Sequence, residues 1–155
     1  MSVKKILVGD IVNRNVFTID PYTTVSEAAI LLSEKQASDL MVVDEKYQFI
    51  GVVSEGDLIR YIIPSFEELL SSAGKTLEDA AKIFLEYGHD LINQPISRFV
   101  IYDAITLKPE DELLKSAVVM AQKNIRRLPV VQDRLFIGTI SRADICRAIL
   151  TGGSR

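Results

Sequence analysis

The chain has 155 residues, enough for one compact domain or for two very small units that share a core. Hydrophobic residues make up 48% of it, and 18 lysines and arginines against 21 aspartates and glutamates leave a formal charge of -3. This balance excludes a global electrostatic field that would attract nucleic acid or a membrane surface, so we expect neither as a partner. Any site that depends on charge must be local.

The N-terminal segment, MSVKKILVGDIV, has two lysines followed by a short apolar run that Gly9 and Asp10 interrupt. The run is too short for a signal peptide or a membrane-spanning helix. We therefore expect a soluble cytoplasmic protein.

The chain has one cysteine and one histidine. A single cysteine, Cys146, excludes an intramolecular disulfide and a cysteine-based zinc cluster. It lies in ADICRAIL on the apolar side of a predicted helix, where we expect a buried structural thiol. His89 follows Gly88, a signal that ends helices, and is predicted in a loop. Catalysis by a histidine paired with a cysteine or serine is therefore not expected.

Two parts of the chain are copies of one unit. With Pro21 aligned on Pro109, an offset of 88, the matching residues are Thr18, Ala29, Lys35, Leu40, Val42 and Val43 against Thr106, Ala117, Lys123, Leu128, Val130 and Val131. One extra residue in the polar turn DEKYQF, compared with QDRLF, reduces the offset to 87. The matches then continue with Phe49, Ile50, Gly51, Ser54, Asp57 and Arg60 against Phe136, Ile137, Gly138, Ser141, Asp144 and Arg147. The chain therefore contains a duplication.

Each copy has the same predicted order of elements. In the first, a strand near Thr18 precedes an amphipathic helix in TTVSEAAILLSEKQ, which begins with a Thr24-x-x-Glu27 capping box. LMVVD and FIGVVS read as adjacent strands, and DLIRYII as a second helix. The second copy has ELLKSAVVMAQKN, LPVVQ, FIGTIS and DICRAIL in these places. Because so small a unit cannot cover its own apolar faces, we predict an α/β (α+β) domain of two β-α-β-β-α repeats packed with pseudo-twofold symmetry.

The segment between the repeats matches neither copy. We predict two short amphipathic helices there, one capped by Ser65-x-x-Glu68 and one that begins with Thr76-x-x-Asp79 and ends at Gly88. The second helix has an apolar side formed by Leu77, Ala80, Ala81, Phe84 and Leu85. One interpretation is that these helices complete the core. The other is that they cover a ligand cleft or face a partner. The predicted divisions are 1–62 (first repeat with the N-terminal segment), 63–96 (insert), 97–150 (second repeat) and 151–155 (tail).

A serine lies three residues before an aspartate at the start of the last helix of each repeat: Ser54 and Asp57, then Ser141 and Asp144. Such a pair stabilises a helix as a cap and needs no ligand to explain it. The same geometry suits a nucleotide, because a helix N-terminus presents free N–H groups to an anion and a carboxylate in the first turn can accept both hydroxyls of a ribose. The two interpretations are compatible.

Three motifs that occur in order in both repeats resemble the CBS domain, the adenosyl-ligand-sensing module named after cystathionine β-synthase. In the first repeat they are FTIDP (17–21), LMVV (40–43) and GVVSEGD (51–57), and in the second ITLKP (105–109), LPVV (128–131) and GTISRAD (138–144). The resemblance covers about residues 9–61 and 97–150. It implies a tandem CBS pair with two ligand clefts, each formed by both repeats.

The resemblance also implies the residues of these clefts. The first would contain Thr18, Ala37, Ser38, Val42, Arg126, Arg127, Pro129, Val130, Ile140, Ser141 and Asp144. The second would contain Val53, Ser54, Asp57, Thr106 and Ile125, together with Asp39. In each cleft the aspartate would hold the ribose, and apolar side chains such as Val42, Val53, Val130 and Ile140 would enclose the adenine.

The two clefts differ in charge. Arg126 and Arg127 occupy positions where several nucleotide-binding family members carry basic residues for phosphate, and the planar fork of arginine donors suits a pair of phosphate oxygens. A solvated basic pair between helix and strand is the alternative interpretation. In the first repeat Asp39 stands where Arg127 stands, and two like charges in a partly buried cleft repel by on the order of several kcal/mol. We expect that cleft to be empty or to take an uncharged adenosyl group.

The resemblance implies a non-enzymatic regulatory module that senses AMP, ADP or ATP and requires no cofactor. It would form a homodimer and signal to a protein partner in trans. S-adenosylmethionine and cyclic dinucleotides are alternative ligands, and a scaffold with vestigial clefts is an alternative function. A small α/β enzyme is disfavoured, because caps and ribose binding account for the acids and no glycine-rich phosphate loop is present.

Overall fold

A computed structural model of the protein describes residues 5–63, 67–68, 71 and 76–152. The helices in these ranges are α1 (Val8–Ile11), α2 (Val25–Glu34), α3 (Glu55–Ile62), α4 (Leu77–Leu91), α5 (Leu113–Lys123) and α6 (Arg142–Thr151), with a 3-10 helix at Ile96–Phe99. The strands are β1 (Thr18–Ile19), β2 (Asp39–Val43), β3 (Phe49–Ser54), β4 (Arg127–Gln132) and β5 (Leu135–Ser141). None of these helices combines the length and apolarity that crossing a membrane requires.

The order of elements in the first repeat is the predicted β-α-β-β-α. Strands β1, β2 and β3 form one sheet in that order, and β4 and β5 form an antiparallel pair. In the second repeat the first strand is reduced to a single parallel bridge between Leu107 and Val130. The β4–β5 hairpin turns at Asp133 and Arg134, whose φ angles of 49° and 71° suit a two-residue turn. The first repeat uses the longer turn 44–48 instead, which is where its extra residue lies.

Side chains cap the helices where the sequence predicts caps. At the start of α2, Thr24 Oγ1 accepts a hydrogen bond from the Glu27 N–H (3.2 Å), and Glu27 Oε2 accepts one from the Thr24 N–H (2.8 Å). The predicted capping box is thus closed. At the start of α4, Thr76 Oγ1 accepts from the Asp79 N–H (3.1 Å). The predicted Ser65 cap lies outside the described residues.

Two compact units form, and neither is continuous in sequence. One unit comprises Met1–Thr18, Val43–Ile50 and Asp103–Arg155, and the other comprises Ile19–Val42 and Gly51–Tyr102. Isolated β-bridges join the parts within each unit: Leu7 to Glu112 and Asn13 to Thr139 in the first, and Thr24 to Pro95 and Val52 to Ile101 in the second. These bridges follow the repeat offset, since Leu7 corresponds to Pro95 and Asn13 to Ile101. The segment before each repeat therefore pairs with the sequence of the other repeat.

The first unit has a well-defined apolar core. Its buried residues come from the N-terminal segment, the bridge at Leu107, α5, β4, β5 and α6: Val8, Ile11, Val12, Leu107, Leu113, Met120, Leu128, Val130, Ile140, Ile145 and Ala148. The N-terminal segment is fixed to this core by backbone hydrogen bonds from Val8 N to Asp111 O (2.9 Å) and from Gly9 N to Pro109 O (2.8 Å). Residues that precede the first repeat in sequence thus complete the core around the second.

Two predictions for single residues are wrong. Cys146 is exposed, because the buried positions of α6 are Ile145 and Ala148, and the next residue along the helix turns 100° away from that side. His89 lies inside α4 and not in a loop, since the helix continues through Gly88 to the buried Leu91. A glycine within a helix costs only about 1 kcal/mol, which burial of a leucine side chain can offset.

Candidate functional site

The start of α6 holds a hydrogen-bonded polar cluster of predicted site residues. Ser141 Oγ accepts a hydrogen bond from the Asp144 N–H (3.1 Å), and Asp144 Oδ2 accepts from both the Ser141 N–H (2.9 Å) and the Ser141 hydroxyl (2.8 Å). The other carboxylate oxygen, Oδ1, lies 3.8 Å from Arg147 Nη2, beyond direct hydrogen-bond distance. The capping interpretation is therefore confirmed, and it engages only one of the two oxygens of Asp144.

The β4–β5 register brings the predicted arginines to this helix start. Arg127 is the pairing partner of Ser141, and the Arg126 carbonyl accepts a hydrogen bond from the Arg142 N–H (3.1 Å). Arg126 is exposed and Arg127 is half-buried. The structure thus places both arginines next to the N-terminus of α6, where backbone N–H groups also favour an anion.

A third arginine belongs to this cluster and was missed by sequence reasoning. The Arg142 guanidinium donates from Nε to the Ile125 carbonyl (2.8 Å) and from Nη2 to Asn124 Oδ1 (2.9 Å). Asn124 ends α5 in the left-handed conformation, with φ of 53°. Arg142 therefore ties the first turn of α6 to the loop that leads into Arg126. The signal was present in the sequence, because the repeat alignment sets Arg142 against Glu55.

The corresponding helix start in the first repeat has the same backbone and different chemistry. The Ser38 carbonyl accepts from the Glu55 N–H (3.0 Å), as the Arg126 carbonyl does from Arg142, and Ser54 Oγ accepts from the Asp57 N–H (3.1 Å). The Asp57 carboxylate forms a close ion pair with Arg60, whereas the ion pair of Asp144 with Arg147 is longer, at 3.8 Å. The side chains of Asp57 and Asp144 are equally exposed, at 24%, so burial does not explain this difference.

Charge separates the two helix starts more strongly than the contrast between Arg127 and Asp39 alone. The differing positions are Arg126, Arg127 and Arg142 in the second repeat and Ser38, Asp39 and Glu55 in the first. The start of α6 combines three arginines with one aspartate, whereas the start of α3 has three carboxylates. An anion is therefore attracted to the first of these sites and repelled from the second.

The remaining predicted site residues are distributed over both units. Thr18, Thr106 and Ile125 belong to the unit that contains Asp144, whereas Ala37 and Ser38 belong to the unit that contains Asp57. The predicted adenine-enclosing residues, together with Pro129, are almost completely buried: Val42, Val53, Val130 and Ile140. They are core residues in this structure, and their contact with an adenine stays a prediction. Among the described residues, no group of three or more His, Cys, Asp or Glu side chains could hold a metal ion.

The family to which the chain belongs follows from its sequence. The CBS domain family model matches residues 8–64 and 96–151, which together make up well over half of the chain. The protein is therefore a member of the CBS domain family and carries the domain as a tandem pair.

Similar proteins support this assignment. CBSX2, a chloroplastic CBS domain-containing protein of Arabidopsis thaliana, is 30% identical in a match that covers 92% of this chain and 63% of CBSX2. The crystal structure of CBSX2 in complex with AMP matches with a TM-score of 0.72 and 25% identity, covering 96% of this chain and 98% of that one. The CBS domain pair of protein MJ0100, solved in complex with 5′-methylthioadenosine and S-adenosyl-L-methionine, has a TM-score of 0.65, 23% identity and coverage of 98% and 100%. At this identity the second structure supports the fold alone.

This chain also matches a part of much longer proteins. An A-adding tRNA nucleotidyltransferase of Aquifex aeolicus is 23% identical over 94% of this chain, and the match covers 14% of that enzyme. This chain spans between 14% and 63% of the length of four curated relatives that it matches.

Proposed function

We propose that this CBS pair is a non-enzymatic regulatory module that binds an adenine nucleotide, AMP, ADP or ATP, at the start of α6. The observation that carries the proposal is the cluster of Arg126, Arg127 and Arg142 around the Ser141–Asp144 helix start. The complex of CBSX2 with AMP, a relative of the same fold, supports the choice of ligand. Occupancy of the site would be communicated to a protein partner in trans, and the homodimer expected for such pairs would transmit it.

Each group at the site has a distinct chemical role in this proposal. Asp144 Oδ2 is held by Ser141, which fixes the carboxylate, and Oδ1, in a 3.8 Å ion pair with Arg147, accepts hydrogen bonds from the ribose hydroxyls. Arg127, beside Ser141, donates to phosphate oxygens, and the N–H groups of the α6 first turn add a favourable dipole. Arg142 acts as a positioning residue, because its hydrogen bonds to residues 124 and 125 fix the loop that carries Arg126.

The start of α3 is proposed to take a different ligand. Asp39, Glu55 and Asp57 disfavour a phosphate and favour a neutral or positively charged adenosyl compound such as S-adenosylmethionine. Binding there would first have to displace Arg60 from Asp57. The acidic cluster is the specific observation behind this second candidate ligand. The binding experiment below distinguishes these ligands from two alternatives: binding of a cyclic dinucleotide, and a scaffold whose vestigial clefts bind none of them.

The proposal is tested by thermal unfolding with AMP, ADP, ATP, adenosine, S-adenosylmethionine and a cyclic dinucleotide, each over a range of concentrations. A ligand present at about a hundred times its Kd should raise the free energy of unfolding by roughly 2.7 kcal/mol. We expect the phosphorylated adenine nucleotides to stabilise the protein more than adenosine does. If none of these compounds changes the unfolding temperature, the chain is a scaffold and the proposal fails.

Replacing Arg127 by alanine should weaken AMP binding by about 10- to 100-fold, the usual effect of losing a hydrogen bond to a charged group. Adenosine affinity should change by less than about threefold, because adenosine has no phosphate for Arg127 to contact. Isothermal titration calorimetry with both ligands measures the two effects. Arg98→Ala, which removes an exposed arginine bonded to Gln94 in the other unit, is the control. An equal loss of adenosine affinity would show that Arg127 is not a phosphate contact.

A further inference from the structure

Helix α4 carries an apolar stripe that the protein leaves in contact with solvent. Leu77, Leu85 and Ile92 are 87%, 69% and 38% exposed, and Ala81 is exposed between them. With Gly88 these residues have the spacing 4, 4, 3, 4, which places them on one side of a helix over about 22 Å. Ile92 follows the last residue of α4 and keeps helical backbone angles, so it continues the stripe.

The stripe is separate from the side of α4 that packs on its own unit. Helix α4 contacts α3, and its less exposed apolar residues are Ala80, Ile83, Phe84 and Leu91. The centres of these two groups lie about 90° or more apart around the helix axis. A surface helix needs one apolar side to join the core, and a second, exposed side with large residues marks an interaction surface.

The order of residues along the stripe is complementary to itself when the helix direction is reversed. An antiparallel copy related by a twofold axis between residues 84 and 85 sets Leu77 against Ile92 of the second copy and Ala81 against its Gly88. Leu85 then lies beside the axis. The small residues allow the two helix backbones to approach closely, while the leucines and isoleucine fill the space on either side.

The charges that border the stripe favour the same arrangement. In the antiparallel register Lys82 lies on the same border of the stripe as Glu86 of the second copy and within one residue of its level. A parallel register would instead set Lys82 against Lys82 and Glu86 against Glu86, which repel. The Lys82–Glu86 pair occurs once on each side of the twofold axis, and this complementarity favours a second copy of the chain as the occupant.

We propose that α4 is a self-association surface through which two copies pair antiparallel. This surface is independent of the nucleotide site and of the homodimer proposed above, because α4 lies in the insert between the repeats. A single pair of helices buries less than the roughly 1,200 Å² of a stable specific interface. The contact is therefore expected to be weak by itself and to depend on protein concentration.

Charge reversal tests the pairing. Lys82→Glu and Glu86→Lys should each weaken association through α4 by at least tenfold, since each sets like charges against each other. An equimolar mixture of the two variants should associate again, because the acidic helix of one then faces the basic helix of the other. Sedimentation velocity measures association, and circular dichroism checks that both variants keep their helix content.

Cross-linking identifies the surface. In a Cys146→Ser background, which removes the exposed native thiol, Leu85→Cys should form a disulfide-linked dimer under mild oxidation. Asp79→Cys, on the polar side of α4, should not. The Leu85→Cys cross-link should decrease at least tenfold when Lys82→Glu is added. It should return when this variant is mixed with a variant that carries Leu85→Cys and Glu86→Lys. A dimer that persists while Leu85→Cys fails to cross-link would overturn this inference and leave the homodimer of the proposed function intact.

Discussion

Replacing Gly138 with alanine is expected to destabilise the protein by about 3 to 5 kcal/mol, a large part of the total stability of a small domain. A Cβ atom at this position would lie 2.2 Å from the backbone oxygen of Asn13 and 3.0 Å from Val12 Cγ2. Asn13 is not free to move away, because it exchanges two backbone hydrogen bonds with Thr139, of 2.9 and 3.0 Å. The methyl group therefore forces the N-terminal segment from β5 and breaks both bonds.

Urea denaturation of three alanine variants measures this effect. Gly51, the corresponding glycine of the first repeat, should behave alike, since its Cβ would lie 2.4 Å from the Ile101 backbone oxygen. Gly56 is the matched control: it is helical, and the nearest atom to its Cβ would be the Arg60 guanidinium, 4.0 Å away. Gly56→Ala should be neutral or stabilise the protein by up to about 1 kcal/mol. A Gly138→Ala protein as stable as the Gly56→Ala protein would contradict the close approach of residue 13.

The parts of this fold that the sequence predicts well are those decided within one turn or one hairpin. The Thr24 and Ser141 caps depend on residues three positions away, and the structure closes both boxes. The strands of each hairpin are short apolar runs bounded by turn residues, and each element is predicted twice because the chain contains a duplication. The tandem CBS pair and its α/β fold are confirmed by the family match and by the structure of a similar protein.

The predictions that failed needed information from distant parts of the chain. Periodicity shows that α6 has an apolar side, but only the positions of Ile145 and Ala148 in the core reveal that Cys146 lies outside it. The docking of residues 7 and 13 onto residues 112 and 139 spans more than 100 residues and has no local signal except a glycine. The sequence shows Gly138 as part of a motif. It does not show why a glycine is needed there, which is the close approach of the Asn13 backbone.

Part of the candidate site could be predicted by comparing the two repeats. The serine–aspartate pairs and the contrast between Arg127 and Asp39 can be read from aligned positions, and the register that sets Arg127 beside Ser141 agrees with them. The role of Arg142 required the structure, because its bonds reach back to residues 124 and 125. The different lengths of the ion pairs Asp57–Arg60 and Asp144–Arg147 also could not be inferred, since both pairs have the same spacing in the sequence.

Asp144→Ala is expected to remove most of the stabilisation by AMP, while Asp57→Ala leaves it largely intact. Loss of the ribose acceptor should weaken AMP binding by about 100-fold, which corresponds to about 2.7 kcal/mol. At an AMP concentration that stabilises the parent protein by roughly 2.7 kcal/mol, the Asp144→Ala variant should then gain only about 0.4 kcal/mol. Asp57 lies among carboxylates and already binds Arg60, so its loss should not change the affinity for a phosphorylated ligand.

The two substitutions control for each other. Each removes a first-turn carboxylate that is 24% exposed, from a helix whose serine cap remains, and Asp144→Ala also opens the capping box, so the cost in the absence of ligand is measured for each variant. Unfolding with and without AMP separates that cost from the loss of binding. Equal loss of AMP stabilisation in both variants would contradict a single dominant phosphate site at α6. Loss in Asp57→Ala alone would place the nucleotide at α3, and the three arginines at α6 would then need another ligand.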